Sequence, residues 1–138
     1  MTRTTDVDVC KPGASDRDEL QARVNVAEKN NCDAFISIHI NASVNKSVGG
    51  FSTYYHPKTD YDLQLARNIQ NNLAKNFKIN DLGVREAGFY VIKRSSMPAV
   101  LCELLFISNP KEEKLLQNGW FRKKSARMIA DGIENYFK

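Results

Sequence analysis

Long apolar runs are missing from this sequence. None approaches the ~20 residues that span a bilayer, and Met1-Thr-Arg-Thr-Thr-Asp6 lacks the apolar core of a secretory signal. The chain reads as soluble, with no membrane segment and no visible address. Cysteine is scarce as well. Cys10, Cys32 and Cys102 are odd in number and form no CxxC pair, which excludes a disulfide framework and a cysteine-based zinc knuckle. Repeats, low-complexity tracts and Pro/Gly/Ser linkers are also absent, so nothing divides the chain. What is there is 138 residues, 42% hydrophobic and 26% charged. That balance suits one globular domain able to bury about two-thirds of the surface its unfolded chain exposes.

A large excess of one charge is lacking too. Twenty Lys and Arg against sixteen Asp and Glu give +4, modest for a nucleic-acid partner. The densest basic region, Lys111, Lys114, Arg122, Lys123, Lys124 and Arg127, is interrupted by Glu112 and Glu113 and reads as the solvated side of two helices. Aromatic or Arg-rich recognition elements are missing, so no nucleic-acid partner is expected.

The patterning alternates strands with amphipathic helices. Asp16, three residues before Glu19, resembles a capping box opening a helix with Leu20, Val24 and Ala27 on one face and an end near Asn30-Asn31. Residues 33–40 are almost continuously apolar or β-branched, which predicts a central strand covered on both faces. Residues 50–56 read as the next strand. Nine residues before it are too few for a crossover helix, so it runs antiparallel to its predecessor or leaves that pairing. Asp60 is read as the N-cap of a helix through Phe77, with Ala66, Ile69, Leu73 and Phe77 on its apolar face. Strands follow at 88–93 and 98–106, then a short helix from Pro110. A terminal helix buries Ala126, Ile129, Ile133 and Tyr136 or Phe137. The expected fold is α/β, a mainly parallel twisted sheet with helices on both faces, in a single domain.

Two polar residues interrupt strands that are otherwise apolar. Glu103 sits between Val100-Leu-Cys and Leu104-Leu-Phe, where an unpaired carboxylate costs several kcal/mol and responds by raising its pKa. It is either a structural carboxylate held by an ion pair or backbone amides, or a general base. His39 lies at the carboxyl end of its strand, where α/β sheets form ligand sites, with Ser37 and Asn41 at period two on either side. It is either a satisfied core histidine or a ligand.

Thr2-Arg-Thr-Thr-Asp6, Arg23 with Asn25-Val-Ala27, Phe35-Ile-Ser-Ile-His-Ile-Asn-Ala42, Gly49-Gly-Phe, and Pro98 through Asn109 together resemble the zinc-dependent N-acetylmuramoyl-L-alanine amidases of the Amidase_3 family. The resemblance runs from residue 1 to the final helix. It implies hydrolysis of the amide between the lactyl group of N-acetylmuramic acid and L-alanine of the peptidoglycan stem peptide. It also implies a Zn²⁺ cofactor with His39 as one ligand, Glu103 as catalytic glutamate, and a cell-wall, extracellular setting. Arg85, after Gly83-Val, matches a basic position suited to a stem-peptide carboxylate, with a solvated loop arginine the other reading. Asn41 either orients His39 or caps its own loop.

Only one of the family's three zinc ligands is matched. The other two, a histidine and a glutamate, belong to a strand and helix preceding the Thr-Arg-Thr-Thr-Asp segment, so a portion of about 30 residues or more is expected to be absent. Such an absence would leave unpaired strand edges. His56 is placed too far away to substitute, and Asp6 and Asp8 match no ligand. Leu105 stands where relatives usually carry glycine, and a leucine there is expected to narrow the approach to the site or fill space. Cys102, on the face opposite Glu103, is a small core residue. The competing reading is an amidase-like wall-binding or regulatory module without a working metal centre. Oligomeric state stays open.

Overall fold

The computed structural model describes residues 1–2, 4–5 and 7–138. Helix α1 (Asp16–Lys29) opens one residue earlier than the sequence suggests: Ser15 is the N-cap, accepting from the Asp18 N–H at 3.2 Å while the Asp18 carboxylate accepts from the Ser15 N–H. Its face carries buried Val24 and Ala27, and it stops at Asn30. Strand β1 (Phe35–Asn41) and strand β2 (Phe51–Tyr55) follow, then helix α2 (Asp60–Asn76), whose N-cap is Thr59 rather than Asp60. Strand β3 (Asp81–Glu86), helix α3 (Tyr90–Arg94), strand β4 (Ala99–Phe106) and helices α4 (Pro110–Gln117) and α5 (Gly119–Tyr136) complete the order.

The four strands form one sheet in the order β1-β4-β2-β3. β1 with β4 and β2 with β3 are parallel, while β2 runs antiparallel to β4. The sheet is therefore mainly parallel with one reversed junction, and β2 does leave β1. Helices cover both faces. Leu65, Ile69 and Leu73 of α2 and Phe121 and Ile129 of α5 pack on Val100 and Cys102 from one side. Val24 and Ala27 of α1 and Val91 and Ile92 of α3 pack on Phe35, Ala99 and Leu101 from the other.

Three expectations need correction. β1 is an edge strand, not a central one, and its Ile38 and Ile40 are 55% and 43% exposed; β4 holds the centre. Residues 88–93 do not form a strand. A short apolar run fits either period, and here one helical turn delivers Val91 and Ile92 to the core while the polar segment Asp81–Glu86 supplies the sheet edge. On α5 the buried stripe is Phe121, Ser125, Ile129 and Gly132, leaving Ala126 exposed. Gly132 is required there, because a Cβ would stand 2.7 Å from the Ile69 Cα of α2.

Candidate active site

The parallel register of β1 and β4 makes His39 and Glu103 direct cross-strand partners. Neighbouring strands lie about 4.8 Å apart and paired residues share a face, so the two side chains stand together on the α1/α3 side, at the carboxyl ends of both strands. Sequence positions 39 and 103 thus meet at one place.

Their surroundings push both groups toward neutrality. Glu103 is half-buried, and desolvation raises its pKa above the usual carboxylate range. Its Oε2 is sealed from solvent and has no hydrogen-bond partner among the described residues. The His39 pKa is lowered, chiefly by desolvation and secondarily by the positive charge of Arg23, which favours the neutral imidazole. Its Nε2 lies 3.0 Å from the Ser37 hydroxyl. Arg23 is itself fixed by Glu19, whose carboxylate also accepts from the Val9 and Cys10 N–H groups. A groove of about 860 Å³ runs along β1 beside α1, lined by Arg23, Ala27, Phe35, Ser37 and His39 among others.

The remaining candidates are spread around this pair. Asn41 caps its own loop: its Oδ1 accepts from the Ala42 N–H at 2.8 Å. Arg85 pairs with Tyr54, which pairs with Leu101, so it occupies the same face two strands away, roughly 12 Å from Glu103 by strand spacing. Its Nε donates to the Leu82 carbonyl. His56 follows Tyr55, which pairs with Val100, so it sits at the opposite end of β4, about 13 Å along the strand from Ser52, the residue paired with Glu103. Cys102 is buried on the other face, its thiol pushed up to about 12 by desolvation. Asp6 lies outside the described residues, and Asp8 is exposed.

Ser52 is the residue the sequence reading passed over. It is the antiparallel partner of Glu103, it is 2% exposed, and its hydroxyl has no partner among the described residues. A lone serine at the start of an apolar strand was its only sequence signal. Leu105 fills space, the second of its two expected roles, and does not narrow the approach to Glu103. It has a φ of 66°, in the left-handed region, and is buried in the α2/α5 core rather than beside Glu103. Backbone geometry, not space, is what makes glycine suitable at this position.

In kind, a neutral imidazole beside a partnerless carboxylate oxygen suits a divalent ion. In number they fall short. Among the described residues no group of three His, Cys, Asp or Glu side chains is placed to hold a metal, and a catalytic zinc needs about three protein ligands.

Residues 1–135 match the Amidase_3 family, described as N-acetylmuramoyl-L-alanine amidase. The chain is similar to the N-acetylmuramoyl-L-alanine amidase LytC of Bacillus subtilis, 42% identical over 86% of this chain and 24% of that protein. Among solved structures it resembles the catalytic domain of the amidase CwlV from Bacillus (Paenibacillus) polymyxa, with TM-score 0.81 and 37% identity over 86% of this chain and 65% of that one. It also resembles the CwlD amidase of Clostridioides difficile, with TM-score 0.90 and 30% identity over 99% of this chain and 73% of that one. The chain therefore spans about a quarter of LytC and just under two-thirds of the CwlV domain.

Proposed function

This chain belongs to the N-acetylmuramoyl-L-alanine amidase family Amidase_3, and from that premise we propose that it acts in peptidoglycan hydrolysis. The reaction is cleavage of the amide joining N-acetylmuramic acid to L-alanine of the stem peptide, in the cell wall outside the cell. The observation that carries this reading is the cross-strand pairing of His39 with Glu103, whose Oε2 is buried without a partner.

Glu103 is the general base. Its raised pKa makes it a better proton acceptor than a solvated carboxylate. It takes a proton from the attacking water and delivers it to the departing alanine nitrogen, which is otherwise a poor leaving group. Arg85 meets a stem-peptide carboxylate from across the sheet, and Asn41 shapes the rim through the loop it caps. A Zn²⁺ cofactor would take His39 as one ligand and would supply Lewis-acid polarisation of the scissile carbonyl.

The test is zinc stoichiometry and peptide release from muropeptides on the purified protein, with and without chelator. Zinc-dependent release that falls at least a hundredfold in Glu103→Gln supports the hydrolase. Release that survives this substitution overturns the role given to Glu103. One observation favours a second reading, a non-catalytic wall-binding module: the absence of a three-donor cluster among the described residues. That module retains glycan binding with no zinc and no peptide release.

A further inference from the structure

Glu112 belongs to α4 yet points away from the basic surface on which its sequence neighbours lie. It is 8% exposed, and its two carboxylate oxygens accept from two distant backbone amides: Oε1 from Gly50 N–H and Oε2 from Phe106 N–H, each at 2.7 Å. The first amide directly precedes β2 and the second ends β4. Gly49 makes room for this clamp, since a Cβ there would collide with Glu112 Oε1.

The clamped amide follows the irregularity in β4. Between the pairs His39↔Glu103 and Asn41↔Phe106, β1 advances two residues while β4 advances three. The extra residue is a β-bulge, and Leu105 within it is the non-glycine residue at φ 66°. In an unbroken strand the residue two beyond Glu103 projects from the same face. The bulge cancels that rule. Leu105 goes instead into the opposite core with Val100 and Cys102, and the next β4 side chain on the Glu103 face is Phe106, paired with Asn41.

We infer that Glu112 is a positioning residue for Glu103: by holding Phe106 and Gly50 together it maintains the bulge that turns Leu105 away and leaves the Glu103 carboxylate uncovered. Without the clamp, Phe106 N–H loses its acceptor and Leu105 relaxes toward extended backbone. Its side chain then swings beside Glu103 and His39. This inference deepens the hydrolase reading and rests on it for its catalytic consequence, but the conformational claim stands apart.

Two measurements on the full chain separate them. The first is NMR of methyl-labelled protein. Wild type is expected to show contacts from Leu105 methyls to Val100, and Glu112→Ala to show contacts from Leu105 to the His39 ring, with the near-isosteric Glu112→Gln between them. Unchanged Leu105 contacts in a folded Glu112→Ala protein overturn the inference whether or not the chain is active. The second is peptide release. Glu112→Ala is expected to lower it about 10- to 100-fold, the cost of a small misplacement at a reacting centre. Leu105→Gly in the same protein is expected to restore release to within threefold of Leu105→Gly alone, because no side chain remains to cover the carboxylate. Losses that multiply rather than rescue overturn the inference. Should Glu103→Gln keep full activity, the role given to Glu103 fails and the Leu105 contacts still decide the role of Glu112.

Discussion

Glu103 is carried on the central strand with one oxygen shut away from solvent, and that arrangement has a cost in stability whose sign is fixed by its pKa. Burial raises the folded-state value above the unfolded one, so across that window the folded protein binds more protons than the unfolded chain. Stability attributable to this group is therefore highest below the unfolded pKa and falls as pH rises through the folded one. Glu103→Gln is expected to raise the melting temperature at pH 7 and to leave it nearly unchanged at pH 4; equal effects at both would contradict this. Leu105 poses a second trade at the same scale. Leu105→Ala removes a fully buried side chain at a cost of about 2–5 kcal/mol. Glycine is ordinarily worse than alanine within a strand, but at a left-handed φ it relieves about 1 kcal/mol of strain, so Leu105→Gly is expected to be at least as stable as Leu105→Ala in urea unfolding. The sequence displayed both residues as anomalies, a charge and a bulky side chain out of place. It did not display the bulge that explains the second, because the register shift depends on where β1 lies alongside β4.

At the scale of elements, α1, α2, β4 and α4 were legible because each carries an unambiguous period or boundary residue: Ala66, Ile69 and Leu73 on α2, Pro110 at the start of α4. Failure came where the local signal is short. Gly88–Lys93 is apolar enough for a strand, and only its packing on Val24 and Phe35 selects a helix. Glu112 interrupts a basic surface in the sequence, though the donors its carboxylate accepts from are backbone amides 62 and 6 residues away. The seam between α2 and β4 depends on another inward carboxylate. Asp62 is fully buried and accepts from Lys58 Nζ at 2.6 Å, from Ala99 N–H at 2.9 Å, and from both Thr59 donors. Asp62→Ala leaves the half-buried Lys58 ammonium with the Ile92 carbonyl and strands the first amide of β4, so it is expected to cost about 1–3 kcal/mol in chemical denaturation. Asp62→Asn, which keeps an acceptor, is expected to cost less.

For the molecule as a whole, the sheet ends on a strand built like an interior one. Among the described residues no strand pairs with the outer edge of β1, and beside it Ile38, Ile40, Leu104, Leu116, Phe121 and Ile129 border an apolar cleft of about 240 Å³. The almost continuous apolar run of residues 33–40 gave the composition of a covered strand correctly and its coverage wrongly, since composition records what a strand is suited to and not what lies next to it. Edges of this kind recruit other strands. The chain is expected to associate in a concentration-dependent manner in sedimentation velocity, and Ile38→Lys, which places a charge on the exposed face, is expected to shift it toward monomer. Monodisperse wild type at high concentration would contradict that expectation.

The strand order has a consequence for when this protein can act. β1 and β4 touch, yet β2, α2, β3 and α3 are all made between them. A chain emerging from the ribosome displays its histidine long before its glutamate, and no partial product ending ahead of residue 103 possesses both. The pairing of the two is withheld until residue 103 has been made, a delay written into topology and requiring no inhibitor.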